Sequence, residues 1–136
     1  MLAVMVSCKK DESNDGKGEG ALTVNEQSYS IIESCMWVKN DGTMSRIVFS
    51  NNVGIVVNIE TDNITLTSKT YTATEIDAVW LPIVGEGDFD EDDVEMTVVK
   101  SGSTYDITIS GKSKVNEYEY TMTYKGKIRA EKDLCN

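Results

Sequence analysis

The densest group of side chains able to do chemistry is the acidic run Glu86-Gly87-Asp88-Phe89-Asp90-Glu91-Asp92-Asp93-Val94-Glu95. Asp88, Asp90 and Asp92 have the alternate spacing of the first three ligands in a calcium loop. The EF-hand pattern then needs Gly at its sixth position and Glu at its twelfth. Those positions hold Asp93 and Val99, so the diagnostic half of the pattern is missing. What remains is a looser calcium site on a hairpin, since hard cations take several carboxylate and carbonyl oxygens. The simpler reading is a solvated acidic loop that discourages edge-to-edge pairing of strands.

Other chemistry finds less support. The sequence has no histidine, which removes Ser–His and Cys–His pairs and the commonest nitrogen ligand of zinc. A glycosidase needs two carboxylates flanking a cleft, and here the carboxylates are bunched in one segment. Gly85 and Gly87 lie among acids that would repel phosphate, so no nucleotide loop is present. The expectation is a protein that is not an enzyme and needs no cofactor, calcium aside. Aromatic residues are then the main candidates for binding. Trp80 opens the apolar patch Trp80-Leu81-Pro82-Ile83-Val84, which leads into the acidic run and its Phe89. Stacked rings beside carboxylates would suit a sugar or a peptide. The alternative is that Trp80 plugs one end of a barrel. Trp37 shares its parity with Tyr29, Ile31 and Cys35, which predicts a place in the core.

The elements that must position these groups follow from a period of two. Tyr118, Tyr120, Met122 and Tyr124 alternate with Glu119, Thr121 and Thr123; Tyr105, Ile107 and Ile109 alternate with Asp106 and Thr108. Ile55, Val57 and Ile59 repeat the pattern. One wet and one buried face marks antiparallel sheet. Turn residues fall at Asn40-Asp41-Gly42, Asn51-Asn52, Thr61-Asp62-Asn63, Ser101-Gly102-Ser103 and Gly111 to Asn116. Only Thr74 to Val79 would tolerate a helical turn. The spacing predicts an all-β domain of roughly eight or nine antiparallel strands. An up-and-down, lipocalin-like barrel and a β-sandwich both satisfy the pattern.

The chain of 136 residues carries a net charge of −10, which argues against nucleic acid as a partner and against electrostatic adhesion to anionic lipid. Such a surface favours a soluble monomer. Cys35 and Cys135 would stabilise the chain if they paired, by ~4.7 kcal/mol for a loop of about this length. Cys35 sits in a strand-like run and serves equally well as a buried small hydrophobe.

At the N-terminus the apolar Leu2-Ala3-Val4-Met5-Val6 and small Ser7 precede Cys8, and Lys9-Lys10-Asp11-Glu12 follow it. This order resembles the end of a bacterial lipoprotein signal peptide, whose cysteine receives lipid and becomes the mature N-terminus. Lys10, Asp11 and Glu12 resemble the export signal that follows that cysteine in surface lipoproteins of the Bacteroides group. Met5 stands where the motif has leucine. The apolar run is shorter than the ~7–15 residues of a signal peptide, which implies residues upstream of Met1. The resemblance covers residues 1–12 only. It implies lipid at Cys8, an anchor in the outer membrane, and a domain facing the cell surface, with the periplasmic face as the alternative.

The organisation expected is therefore a signal-peptide remnant (1–7), a lipidated cysteine and flexible tether (8–20), one β domain (21–130) and a short tail (131–136). The functional expectation is a non-enzymatic accessory module that binds a glycan, a small apolar ligand or a surface protein. The runner-up is a structural component of the envelope or of a surface assembly; a carboxylate-dependent hydrolase comes third.

Overall fold

The computed structural model describes residues 16–84, 89–113 and 119–132; of residues 84, 89–93, 113 and 132 it describes the backbone alone. Among the described residues ten strands follow one another: β1 (Lys17–Val24), β2 (Gln27–Val38), β3 (Met44–Ser50), β4 (Ile55–Ile64), β5 (Lys69–Tyr71), β6 (Ile76–Trp80), β7 (Phe89–Ser101), β8 (Thr104–Ser113), β9 (Glu119–Gly126) and β10 (Arg129–Lys132). Pro82–Val84 forms a short 3-10 turn.

Alternating sequences pair as neighbours. β1 to β4 form one antiparallel meander and β7 to β9 another, and β9 joins the two by pairing with β1. The order across the sheet is β5-β7-β8-β9-β1-β2-β3-β4-β6. The two outermost strands, β5 and β6, are consecutive in the chain, joined by a turn in which the Glu75 and Ile76 amides donate to the Thr72 carbonyl. β6 also lies against β7, so the sheet curls into a nearly closed barrel. Of the two architectures compatible with the alternation, the chain adopts the barrel. Closure hides the hydrogen-bonding edges that an open sheet would present.

The interior is filled by side chains. Tyr120, Met122 and Tyr124 of β9 and Ile107 and Ile109 of β8 all point inward and are buried. Phe49 of β3 meets Tyr124 across the barrel, ring centroids 5.2 Å apart and tilted by 59°, a geometry that aromatic pairs favour. Small barrels are filled in this way rather than hollow.

β1 begins at Lys17, inside the stretch the sequence assigns to the tether. Its inward positions Gly18 and Gly20 have no room for a side chain: the Tyr124 ring takes the space at Gly18, and the β9 backbone takes it at Gly20. A Cβ at Gly18 would sit 2.4 Å from the Tyr124 hydroxyl, and one at Gly20 would sit 1.9 Å from the Thr123 carbonyl oxygen. A second tyrosine, Tyr120, covers Gly111 in the same manner. Covering a strand glycine with an aromatic ring restores buried area that the glycine lacks.

The approach to β1 and the β9–β10 connection meet at one place. The Gly16 carbonyl accepts from the Ser34 amide at 2.9 Å and from the Tyr124 hydroxyl at 2.8 Å. The Lys127 carbonyl accepts from Ser34 Oγ at 3.0 Å and also faces the Tyr124 hydroxyl at 2.5 Å. Beyond this knot β10 runs parallel to β2, Arg129 opposite Cys35 and Lys132 opposite Val38. It occupies the position that β1 would hold had β1 started earlier.

Three local expectations change. Thr61-Asp62-Asn63 is not a turn but part of β4. Thr61 Oγ1 donates to the Met44 carbonyl at 2.7 Å, and the Asp62 amide reaches the Glu75 carbonyl at 2.9 Å. Asn63 takes a φ of 56° at the end of the strand. The acidic run is not wholly a loop either, since the backbone from Phe89 onward belongs to β7. There β7 takes five steps from Asp90 to Glu95 while β8 takes two from Lys112 to Ser110, a pronounced bulge. In the third, Thr74 and Glu75 lie in a turn and the chain then runs on as strand β6.

Candidate functional site

Midway along β2 the inward face changes parity. Tyr29 and Ile31 point to the core, and so do Ser34 and Met36. The register of β1 against β2 shifts at the same place, between Lys17 and Gly20. The consequence is that Cys35 and Trp37 lie on the outer wall. Trp37 is half-buried and stands apart from the core cluster, contrary to the sequence expectation.

Two rows of outward side chains then run across the wall. In the first, Arg129, Cys35, Val48, Asn58 and Trp80 are successive register partners on β10, β2, β3, β4 and β6. In the second, Glu131, Trp37, Arg46, Glu60 and Ala78 follow the same strands. Cross-strand partners of this kind have Cβ atoms ~4.5–5.5 Å apart, so each row is a line of touching neighbours.

The second row is electrostatic. Arg46 Nη2 meets Glu60 Oε2 at 3.1 Å while its guanidinium carbon stands 6.0 Å from the Trp37 ring centroid. That distance is at the outer reach of a cation–π contact. Arg129 Nε meets Glu131 Oε2 at 2.8 Å, and Glu131 is only 7% exposed. Both carboxylates of this row are thus engaged by arginines.

The first row holds the anomaly. Asn58 stands between two core residues, Val57 and Ile59, and so points outward, yet it is only 9% exposed. Its Oδ1 is buried and has no hydrogen-bond partner. A buried acceptor without a donor costs roughly 1–3 kcal/mol. Its neighbour Trp80, by contrast, is 41% exposed at the end of β6, just before the buried Leu81 and the Pro82–Val84 turn. Trp80 therefore does not plug the barrel: Val79 and Leu81 point inward and Trp80 lies on the wall.

Two shallow grooves lie elsewhere. One, of about 290 Å³, is lined by Ser110, Lys112, Glu119 and Tyr120 among others; the second, of about 400 Å³, by Val99, Asp106 and Lys125 among others. Their aromatic residues, Tyr120 and Tyr105, are buried and offer no open ring face. Burial holds the Tyr120 phenol well above the usual tyrosine range.

Of the residues singled out by sequence, Trp80 and Cys35 fall within these outer rows. Cys8, Lys10, Asp11, Glu12, Asp88 and Cys135 lie outside the described residues, as do the side chains of Phe89, Asp90 and Asp92. The calcium and disulfide expectations therefore fall outside them as well. Among the described residues, no three His, Cys, Asp or Glu side chains are grouped to hold a metal ion. Among the same residues, no helix is long and apolar enough to cross a membrane. Asn58 escaped sequence reasoning because alternation marks it as a wet residue, yet it is buried. Comparison with protein-family models, curated proteins and solved structures returned no match.

Proposed function

We propose that this chain is a lipid-anchored outer-membrane protein whose barrel is a non-enzymatic binding module working through its outer wall. The observation that carries the binding reading is the pairing of an exposed Trp80 with a buried, donor-less Asn58 on one face. An open aromatic ring and an unsatisfied polar group are both costs to the free protein that an occupant would relieve. The filled interior supports a site on the wall rather than in a lumen. The engaged states of Glu60 and Glu131, and a sequence without histidine, favour binding over catalysis. The anchor rests on the order of residues around Cys8 and on Lys10-Asp11-Glu12.

The runner-up, a structural component assembling through sheet edges, has less to work with. β5 is three residues long and β6 lies against β7.

The test is protease treatment of intact cells expressing the gene from its native locus, alongside Cys8→Ser. Digestion before lysis, with Cys8→Ser released from the membrane, supports a surface lipoprotein. Protection until lysis moves the domain to the periplasmic face, and a Cys8→Ser protein still held by the membrane overturns the anchor. A deletion strain complemented by wild type but not by Trp80→Ala supports the wall as the working face; equal complementation counts against it.

A further inference from the structure

We infer that the Asn58–Trp80 face binds a neutral oligosaccharide. One pyranose ring lays its C–H face on Trp80, and a ligand hydroxyl or N–H donates to Asn58 Oδ1. The inference rests on the outer wall being the binding face and goes on to name the occupant.

The acceptor sets the first condition. Asn58 Oδ1 is an oxygen with no partner, so the occupant must bring a donor. Carboxylate and phosphate groups bring acceptors only, and the chain's net charge of −10 repels them further. Trp80 sets the second condition. Its exposed ring needs a flat apolar partner directly beside that donor. A pyranose meets both, with an apolar C–H face and hydroxyl donors projecting from its rim. A peptide strand would instead seek unpaired backbone along a sheet edge; β4, which carries Asn58, is paired on both sides by β3 and β6, and the outer side of β6, which carries Trp80, lies against β7.

The span sets the length. Trp37 and Trp80 are separated by three strand spacings, or ~14 Å across the sheet. Between them Arg46 and Glu60 present N–H donors and carboxylate acceptors within one ion pair. Hydroxyl groups, which both donate and accept, can insert beside such a pair without leaving either charge alone. The face is thus matched to a short chain of sugars rather than to a single ring. Because Asn58 Oδ1 is buried in the free chain, binding must turn a neighbouring side chain aside. Trp80 is the register partner with an open side, at the end of its strand. Binding should therefore change tryptophan emission.

The experiment uses the full chain as Cys8→Ser, titrated with malto-, cello-, xylo- and chito-oligosaccharides from disaccharide to hexasaccharide. Tryptophan fluorescence and calorimetry are the readouts. At least one series is expected to bind, with affinity rising with length and then levelling off. Trp80→Ala and Asn58→Leu should each weaken that affinity at least tenfold, and Asn58→Leu should do so without lowering the melting temperature. Silence from every neutral series at millimolar concentration overturns the inference, as does binding that survives both substitutions. Preference for sulfated or sialylated chains would overturn the donor argument. If saccharides fail while a purified surface protein binds in a Trp80-dependent way, the sugar inference falls and the binding-wall reading survives.

Discussion

Asn58→Leu should make the protein more stable. Asn58 sits between Val48 and Trp80 in its row, is 9% exposed, and carries an amide oxygen with no donor. Leucine has a similar volume and nothing to leave unsatisfied. Relief of the stranded acceptor contributes ~1–3 kcal/mol, and imperfect repacking of a branched apolar group takes back up to ~1.5 kcal/mol. The net is a gain of about 1 kcal/mol. For a domain of this size that corresponds to a rise of roughly 3–6 °C in Tm. Calorimetry gives the shift directly, and urea unfolding should show a higher midpoint with an unchanged m-value. Asn58→Asp provides the opposite sign at the same site. A carboxylate buried there has its pKa raised by desolvation, so it destabilises at neutral pH and the deficit shrinks as pH falls and it protonates. A Tm for Asn58→Leu at or below wild type would refute the argument, because it would mean that the Oδ1 is satisfied in solution.

Three other perturbations test the fold around the site. Tyr124→Phe removes the hydroxyl shared by the Gly16 and Lys127 carbonyls, but Ser34 still serves both acceptors, so the loss should be ~1 kcal/mol by urea midpoint. A much larger loss would show that the hydroxyl, not Ser34, holds Gly16 and Lys127 together. Gly20→Ala drives a Cβ into the Thr123 carbonyl and should destabilise by ~3 kcal/mol or more, whereas Gly54→Ala meets open space and should be neutral or gain up to ~1 kcal/mol; equal thermal unfolding of the two variants would contradict the packing of β1 on β9. Burial holds the phenols of Tyr120 and Tyr124 above their ordinary pKa. The unfolded chain therefore gives up those protons first, near pH ~10, and stability should be intact below that pH and fall as pH rises beyond it. Phenolate absorbance for these two rings should appear together with loss of the β circular dichroism signal, and titration ahead of unfolding would argue that they are exposed.

The legible part of the fold is the part where side chains alone report the sheet. β8 and β9 alternate without interruption, and their apolar residues face inward as the sequence implies. The Asn40–Gly42 and Ser101–Ser103 turns also fall where turn chemistry places them. β1 is harder to see because Gly18 and Gly20, its inward residues, give no apolar signal; the Tyr124 ring fills the space at one and the β9 backbone crowds the other. β10 is Arg-Ala-Glu-Lys, and nothing in that composition announces a strand pairing in parallel with β2. Trp37 was assigned to the wrong face because parity counted from Tyr29 and Ile31 does not survive the change of face before Ser34. A single sequence carries no mark of such a change. Trp80 is legible as the aromatic that opens an apolar patch, but Asn58 is not, since what singles it out is burial at a position that the alternation marks as wet.

The knot at Gly16 has a mechanical consequence. Any tension entering through the residues ahead of Gly16 pulls β1 lengthwise, and β1 is hydrogen-bonded along its length to β2 on one side and β9 on the other. Such a load is shared by two ladders at once instead of peeling one bond after another. Before it reaches them it meets the Ser34 amide and the Tyr124 hydroxyl holding the Gly16 carbonyl, so the first give in a pulled molecule would be there. Trp80, on β6 at an outer edge of the sheet, is three strands removed from β2 and would keep its geometry while β1 bears such a pull.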